Sequence, residues 1–180
     1  AIDGVTLGYV IGRHYGGHVK YLVGDLLMNL KGLAPLCVPV RQSGRQQGRD
    51  FPQMVAKAFG GQDNVIMFPA GLCSRRQDDG RIRDPQWHRF FIKKSVQYRR
   101  DVVPVHFIGQ NSPRFYRVAR FCKRWRLPNL AKLLLPDEMY RSQGKTYSVR
   151  IGKPIPWQTF DCSRTPDEWA GWVQDQVYSL

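Results

Sequence analysis

The sequence predicts an α/β domain in which helices flank a largely parallel central sheet. Three observations carry that expectation. Short apolar runs rich in β-branched residues alternate with segments of helical period. Good cap residues and glycine pairs punctuate the helices. The length of 180 residues, 42% hydrophobic and 23% charged, suits one core and leaves no room for two. Residues 1–180 are therefore expected to form a single domain. The chain opens on Ala1 without an initiator Met, and is expected to be a piece truncated at its N-terminus.

Taken in order, Val19 to Val23 reads as a strand, and Asp25 caps a helix running to about Leu30. Pro35 to Val40 is a second apolar run. Gln53 to Phe59 has helical period and stops at Gly60-Gly61. Asn64 to Phe68 is a buried strand that runs into a glycine-bearing loop. Asp84-Pro85 offers a cap and a proline at the first helical position, predicting a helix through about Arg100. Asp101 to Phe107 and Thr146 to Ile151 are two further strands. Thr165-Pro166-Asp167-Glu168 is a capping box for a last helix, with Trp169, Trp172, Val173 and Val177 on one stripe.

Several classes fall away early. No apolar run approaches the roughly 18–20 residues of a spanning helix, and no signal-peptide pattern opens the chain. Cys37, Cys73, Cys122 and Cys162 lie far apart, which argues against zinc and disulfides and fits a reducing cytoplasm. His14 and His18 are four apart, but Gly16-Gly17 breaks any shared helix face, so no metal is expected. His88 and His106 read as ordinary structural histidines. No cofactor is implied.

The net charge is +14 and is not evenly spread. Residues 41–100 carry 13 bases against 5 acids, and residues 101–153 carry 11 against 3. A field of this sign attracts phosphates on lipid, nucleic acid or a cofactor. Zinc spacings and RNA-binding aromatic runs are missing, so nucleic acid is not an expected partner. In open α/β sheets, chemistry collects in loops at the carboxyl ends of strands. Phe68 to Arg76 has that placement and joins Gly71 and Ser74 to Arg75 and Arg76. Two readings stand there: a phosphate-binding loop, or a solvated basic turn. Rotating Arg114 to Leu127 by 100° per residue gathers Phe115, Val118, Phe121, Cys122 and Trp125 on one stripe, with six bases elsewhere. That helix is either a core-packed surface helix or a membrane-surface helix. Anionic lipid is the preferred ligand, with Arg117, Arg124 and Trp125 the membrane-binding candidates.

Phe68-Pro69-Ala70-Gly71-Leu72-Cys73-Ser74 and Val103-Pro104-Val105 resemble blocks of the glycerolipid acyltransferase family, whose best-known members are the lysophosphatidic acid acyltransferases. Asp3-Gly4 sits where that family's His-x4-Asp motif ends, and Pro39-Val40-Arg41 looks like its second block. Asp25-Leu26-Leu27, Leu135 to Met139 and Gly152 to Trp157 are closer to a bacterial hemolysin-like or aminolipid acyltransferase subgroup. The likeness covers nearly the whole chain. It implies a glycerolipid-acyltransferase-like fold and acyl transfer from acyl carrier protein or coenzyme A to the hydroxyl of a lysolipid. By this resemblance Asp3 is the catalytic aspartate, and its histidine partner is expected three or four residues before Ala1. Arg41, Gly71, Ser74, Arg75, Arg76 and Pro104 become substrate-binding candidates. The family's loop glutamate and phosphate-binding arginine fall on Ala70 and Cys73. That change favours another acceptor, such as a monoacylated aminolipid whose carboxylate pairs with an arginine. The implied location is cytoplasmic, peripheral on the inner face of the cell membrane. The competing expectation is a degenerate or non-enzymatic binder of anionic membrane surfaces.

Overall fold

The computed structural model describes residues 2–24, 32–40 and 48–180. The elements are α1 (Ile2–His14), β1 (Val19–Gly24), β2 (Cys37–Val40), α2 (Phe51–Gly60), β3 (Asn64–Met67), β4 (Arg75–Arg76), β5 (Ile82–Arg83), α3 (Phe90–Tyr98), β6 (Val105–Ile108), α4 (Pro113–Arg124), α5 (Leu135–Tyr140), β7 (Ser148–Ile151) and α6 (Pro166–Ser179). The expected helix from Asp25, and Arg41, lie outside the described residues.

β1 is the middle of a three-stranded sheet in the order β2-β1-β3, and both pairings are parallel. Its side chains alternate between two cores, as a strand's period of two requires. Val19, Tyr21 and Val23 pack with Leu7 and Ile11 beneath α1, whereas Leu22 packs with Val55, Ala58 and Phe59 of α2. Helices on both faces of a parallel sheet give the α/β architecture that the sequence predicts. The last two strands depart from that pattern. β6 and β7 pair antiparallel with each other, in a register that sets Val105 against Ile151.

α1 has no counterpart in the sequence reading, because Gly4, Gly8 and Gly12 disfavour a helix by about 1 kcal/mol each relative to alanine. Packing reverses that preference. A Cβ on Gly8 would stand 1.5 Å from the Tyr21 hydroxyl, so only glycine lets α1 lie this close to β1.

The helix expected from Asp84 begins instead at Phe90. Asp84 is occupied: its carboxylate accepts from Ser74 Oγ at 2.6 Å and from Trp87 Nε1 at 3.0 Å, and its backbone N–H donates to the Tyr178 hydroxyl at 2.8 Å. Those tertiary bonds hold the segment extended. The final helix follows its sequence signal. Thr165 accepts from the Glu168 N–H, Glu168 accepts from the Thr165 N–H at 2.7 Å, and Trp169, Val173 and Val177 are buried.

α4 begins one residue earlier than expected, with Ser112 as its cap. Its buried face is turned by about a quarter of the helix circumference. Phe115, Tyr116, Ala119 and Cys122 are buried, while Phe121 and Trp125 are 57% and 63% exposed. The partner surface decides this rotation. Phe115, Tyr116 and Ala119 pack with Ala131, Leu134 and Leu135 and with Cys73 and Ile82. No helix among the described residues is long and apolar enough to cross a membrane.

Candidate active site

The loop that follows β3 is built at the carboxyl end of a parallel strand. Gly71 turns it, with φ of +63°, and the Gly71 N–H donates to the Phe68 carbonyl at 3.0 Å. An L-residue is strained in that left-handed region, so Gly71 is a backbone requirement. The Pro69 carbonyl accepts from the His88 N–H at 3.1 Å, and Ala70 is buried against the α3–α6 core. Both ends of the loop are thereby fixed.

α1 brings its first turn to this loop. A Cβ on Gly4 would lie 3.1 Å from Phe68 Cζ. Asp3, half-buried beside it, accepts from the Gly4 N–H at 2.8 Å, and its negative charge reaches Cys73. Burial is the main cause that pushes the Cys73 thiol up; Asp3 and Asp84 add to it, and Arg75 opposes. A thiol held protonated in this way fills space against Ile82 and Phe115 and is a poor nucleophile.

The loop's polar groups divide into engaged and available. Ser74 donates to Asp84, which Trp87 and Tyr178 hold from the other side. Arg75 donates through Nη1 to the Cys73 carbonyl at 2.6 Å and to that of Ser74 at 3.2 Å, and its guanidinium lies 5.6 Å from the centre of the Phe115 ring. It braces the loop onto α4. Arg76 is exposed, and it borders an open cleft of about 600 Å³ together with Arg81, Arg83, Gln110, Asp175 and Tyr178. Arg81 pairs with Asp79 at 2.6 Å, and Arg83 pairs with Asp175 at 3.0 Å while lying over the Tyr178 ring. Among these cleft arginines, Arg76 has no side-chain partner among the described residues.

The other sequence candidates sit elsewhere. Pro104 is buried and accepts from the Gly152 N–H at 2.9 Å; a Cβ on Gly152 would stand 2.8 Å from its ring. It packs the β6–β7 pair rather than the loop. Arg117, Arg124 and Trp125 are exposed on α4 and at its end. His106 differs from the satisfied histidine the sequence suggested. Its Nδ1 is buried without a hydrogen-bond partner among the described residues, and burial, then Arg150, pushes its pKa down where the ring packs edge-on against Tyr178.

Two supports of the site escaped sequence reasoning. Asp84 reads as a helix cap and serves as a loop anchor. Gly4 and Gly8, to which the sequence reading gave no structural role, bring α1 close to Phe68 and Tyr21 and so set the position of Asp3. The four-residue spacing of Gly4, Gly8 and Gly12 was the signal available for the second.

A family model described as acyltransferase matches residues 1–180. A lyso-glycine lipid O-acyltransferase of Bacteroides thetaiotaomicron is 60% identical over 179 residues, covering 99% of this chain and 65% of the relative. A protein of the same name from Phocaeicola vulgatus is 55% identical over 179 residues, covering 99% of this chain and 63% of that relative. The chain thus spans somewhat under two thirds of the length of these relatives. No solved structure matches it.

Proposed function

The chain belongs to the acyltransferase family, and from that premise we propose that it forms part of an enzyme that acylates a lysolipid, with a monoacylated glycine lipid as acceptor. The observation that carries this reading is 60% identity to a lyso-glycine lipid O-acyltransferase across 99% of the chain, a span that includes the whole Phe68–Arg76 loop. The donor is a thioester of acyl carrier protein or coenzyme A.

An alcohol near neutral pH is a weak nucleophile and needs a base. In this reading a histidine three or four residues before Ala1 takes the proton of the acceptor hydroxyl. Asp3 holds that imidazole in the required tautomer and stabilises its charged form. The hydroxyl oxygen bonds to the thioester carbonyl carbon, the C–S bond breaks, and the leaving thiolate takes the proton back from the imidazolium. An ester and a free thiol result.

A lyso-glycine lipid carries a carboxylate, for which Arg76 is the available partner. Its guanidinium opens onto the cleft, while that of Arg75 is committed to loop carbonyls. Replacing Arg76 by Ala in the full natural protein is expected to raise acceptor KM roughly tenfold with little change in kcat, as for the loss of one charge-assisted pair. Steady-state kinetics with a monoacylated glycine lipid and lysophosphatidic acid tests both parts. Unchanged KM removes Arg76 from the acceptor site. Preference for lysophosphatidic acid overturns the acceptor assignment, and failure to acylate either lipid overturns the enzymatic reading.

A further inference from the structure

We propose that the outer face of α4 and the turn after it dock on an anionic lipid bilayer, and that the same helix ties the Phe68–Arg76 loop to that surface. Phe121 and Trp125 project from the helix with ring centroids 6.3 Å apart, and Leu130 and Leu133 beyond them are 47% and 72% exposed. Single exposed apolar residues are ordinary, but two neighbouring exposed aromatics at the end of one cationic helix are not. The burial pattern sharpens the point, because α4 already has a complete buried face in Phe115, Tyr116, Ala119 and Cys122. Phe121 and Trp125 are surplus to that core.

Charge selects the occupant. α4 carries five bases and no acid, and Arg117 and Arg124 share the exposed side with Phe121. A second copy of the chain would set these cations against their equivalents. A bilayer with anionic headgroups neutralises them while the aromatic rings enter the interfacial layer, the usual division of labour for an amphipathic helix lying on a membrane. On the opposite side of α4, Phe115 meets the Arg75 guanidinium and shares a core with Cys73. The helix that rests on the lipid thus also holds the loop through its buried face.

Docking does not depend on turnover, so it is tested apart from the catalytic reading. The full natural protein is floated with phosphatidylcholine vesicles, with and without phosphatidylglycerol, beside a Phe121→Ser/Trp125→Ser variant and an Arg117→Gln/Arg124→Gln variant. Both pairs are exposed, so thermal melts are expected to match the parent. Phosphatidylglycerol-dependent flotation is expected, weakened at least roughly tenfold by the aromatic substitutions. The arginine substitutions are expected to lower it in a salt-dependent manner. Parent-like flotation of the aromatic variant overturns the proposal. So does equal binding to vesicles lacking phosphatidylglycerol, or vesicle-free sedimentation as a dimer that the Ser variant abolishes, which would make the face a contact between copies.

Discussion

α1 and α4 both reach the Phe68–Arg76 loop, and they do so by opposite means. α1 approaches through missing side chains: Gly8 admits the Tyr21 hydroxyl, and Gly4 admits the Phe68 ring. α4 approaches through large ones, with Phe115 and Tyr116 buried and Phe115 under the Arg75 guanidinium. Its start is pinned by Glu138, a buried carboxylate on α5 that accepts from both the N–H and the hydroxyl of Ser112. Contact made by backbone proximity tolerates no added atom. Contact made by side chains tolerates exchange, provided that the buried polar group keeps its partners.

Adding one methyl to α1 tests the first half of that contrast. Gly8→Ala places a Cβ 1.5 Å from the Tyr21 hydroxyl and 2.4 Å from its Cζ, inside a core where Tyr21 is only 6% exposed. A loss of about 3 kcal/mol is expected in chemical denaturation, the upper range for overpacking. Pairing it with Tyr21→Leu should restore part of that loss, because the clash is between these two residues. Gly8→Ala with parent stability would show that α1 is free to lift away.

The second half is tested at Glu138. Glu138→Ala leaves the Ser112 N–H and hydroxyl without their acceptor at the start of α4, and is expected to cost about 2 kcal/mol. Glu138→Gln retains one oxygen and should recover more than half. Equal losses for the two variants would mean that charge near the helix N-terminus, rather than the hydrogen bonds, does the anchoring.

The smallest effect has the opposite sign. Gly12 lies one turn beyond Gly8, but its added Cβ would meet nothing closer than Val19 Cγ2 at 4.0 Å. Gly12→Ala is therefore expected to stabilise the protein by about 0.5–1 kcal/mol through helix propensity alone. Thermal melts of the Gly8 and Gly12 variants together separate close approach from propensity within one helix.

The legible parts of this protein share a cause. The Thr165–Glu168 capping box, the end of α2 at Gly60-Gly61 and the strand from Val19 to Val23 depend on residues a few positions apart, and all three stand. The loop after β3 was legible because its placement follows from strand order and its residues carry a family pattern. Asp84 marks the limit. Its cap signal, about 1 kcal/mol in strength, was outweighed by three hydrogen bonds to Ser74, Trp87 and Tyr178, the last 94 positions away in sequence.

α4 and α1 show the same limit at larger scale. The sequence alone marked Arg114 to Leu127 as an amphipathic cationic stretch and Phe68 to Arg76 as a glycine-bearing loop that carries Arg75 and Arg76. Tertiary structure decided which arc of α4 is buried, because Cys73, Ile82 and Ala131 fill one side of it and leave Phe121 and Trp125 outside. Tertiary structure likewise made α1 a helix despite three glycines. Local preferences are worth about 1 kcal/mol per residue, whereas burying one large apolar side chain is worth about 1.5–3. Where the two disagreed, the packing partner won.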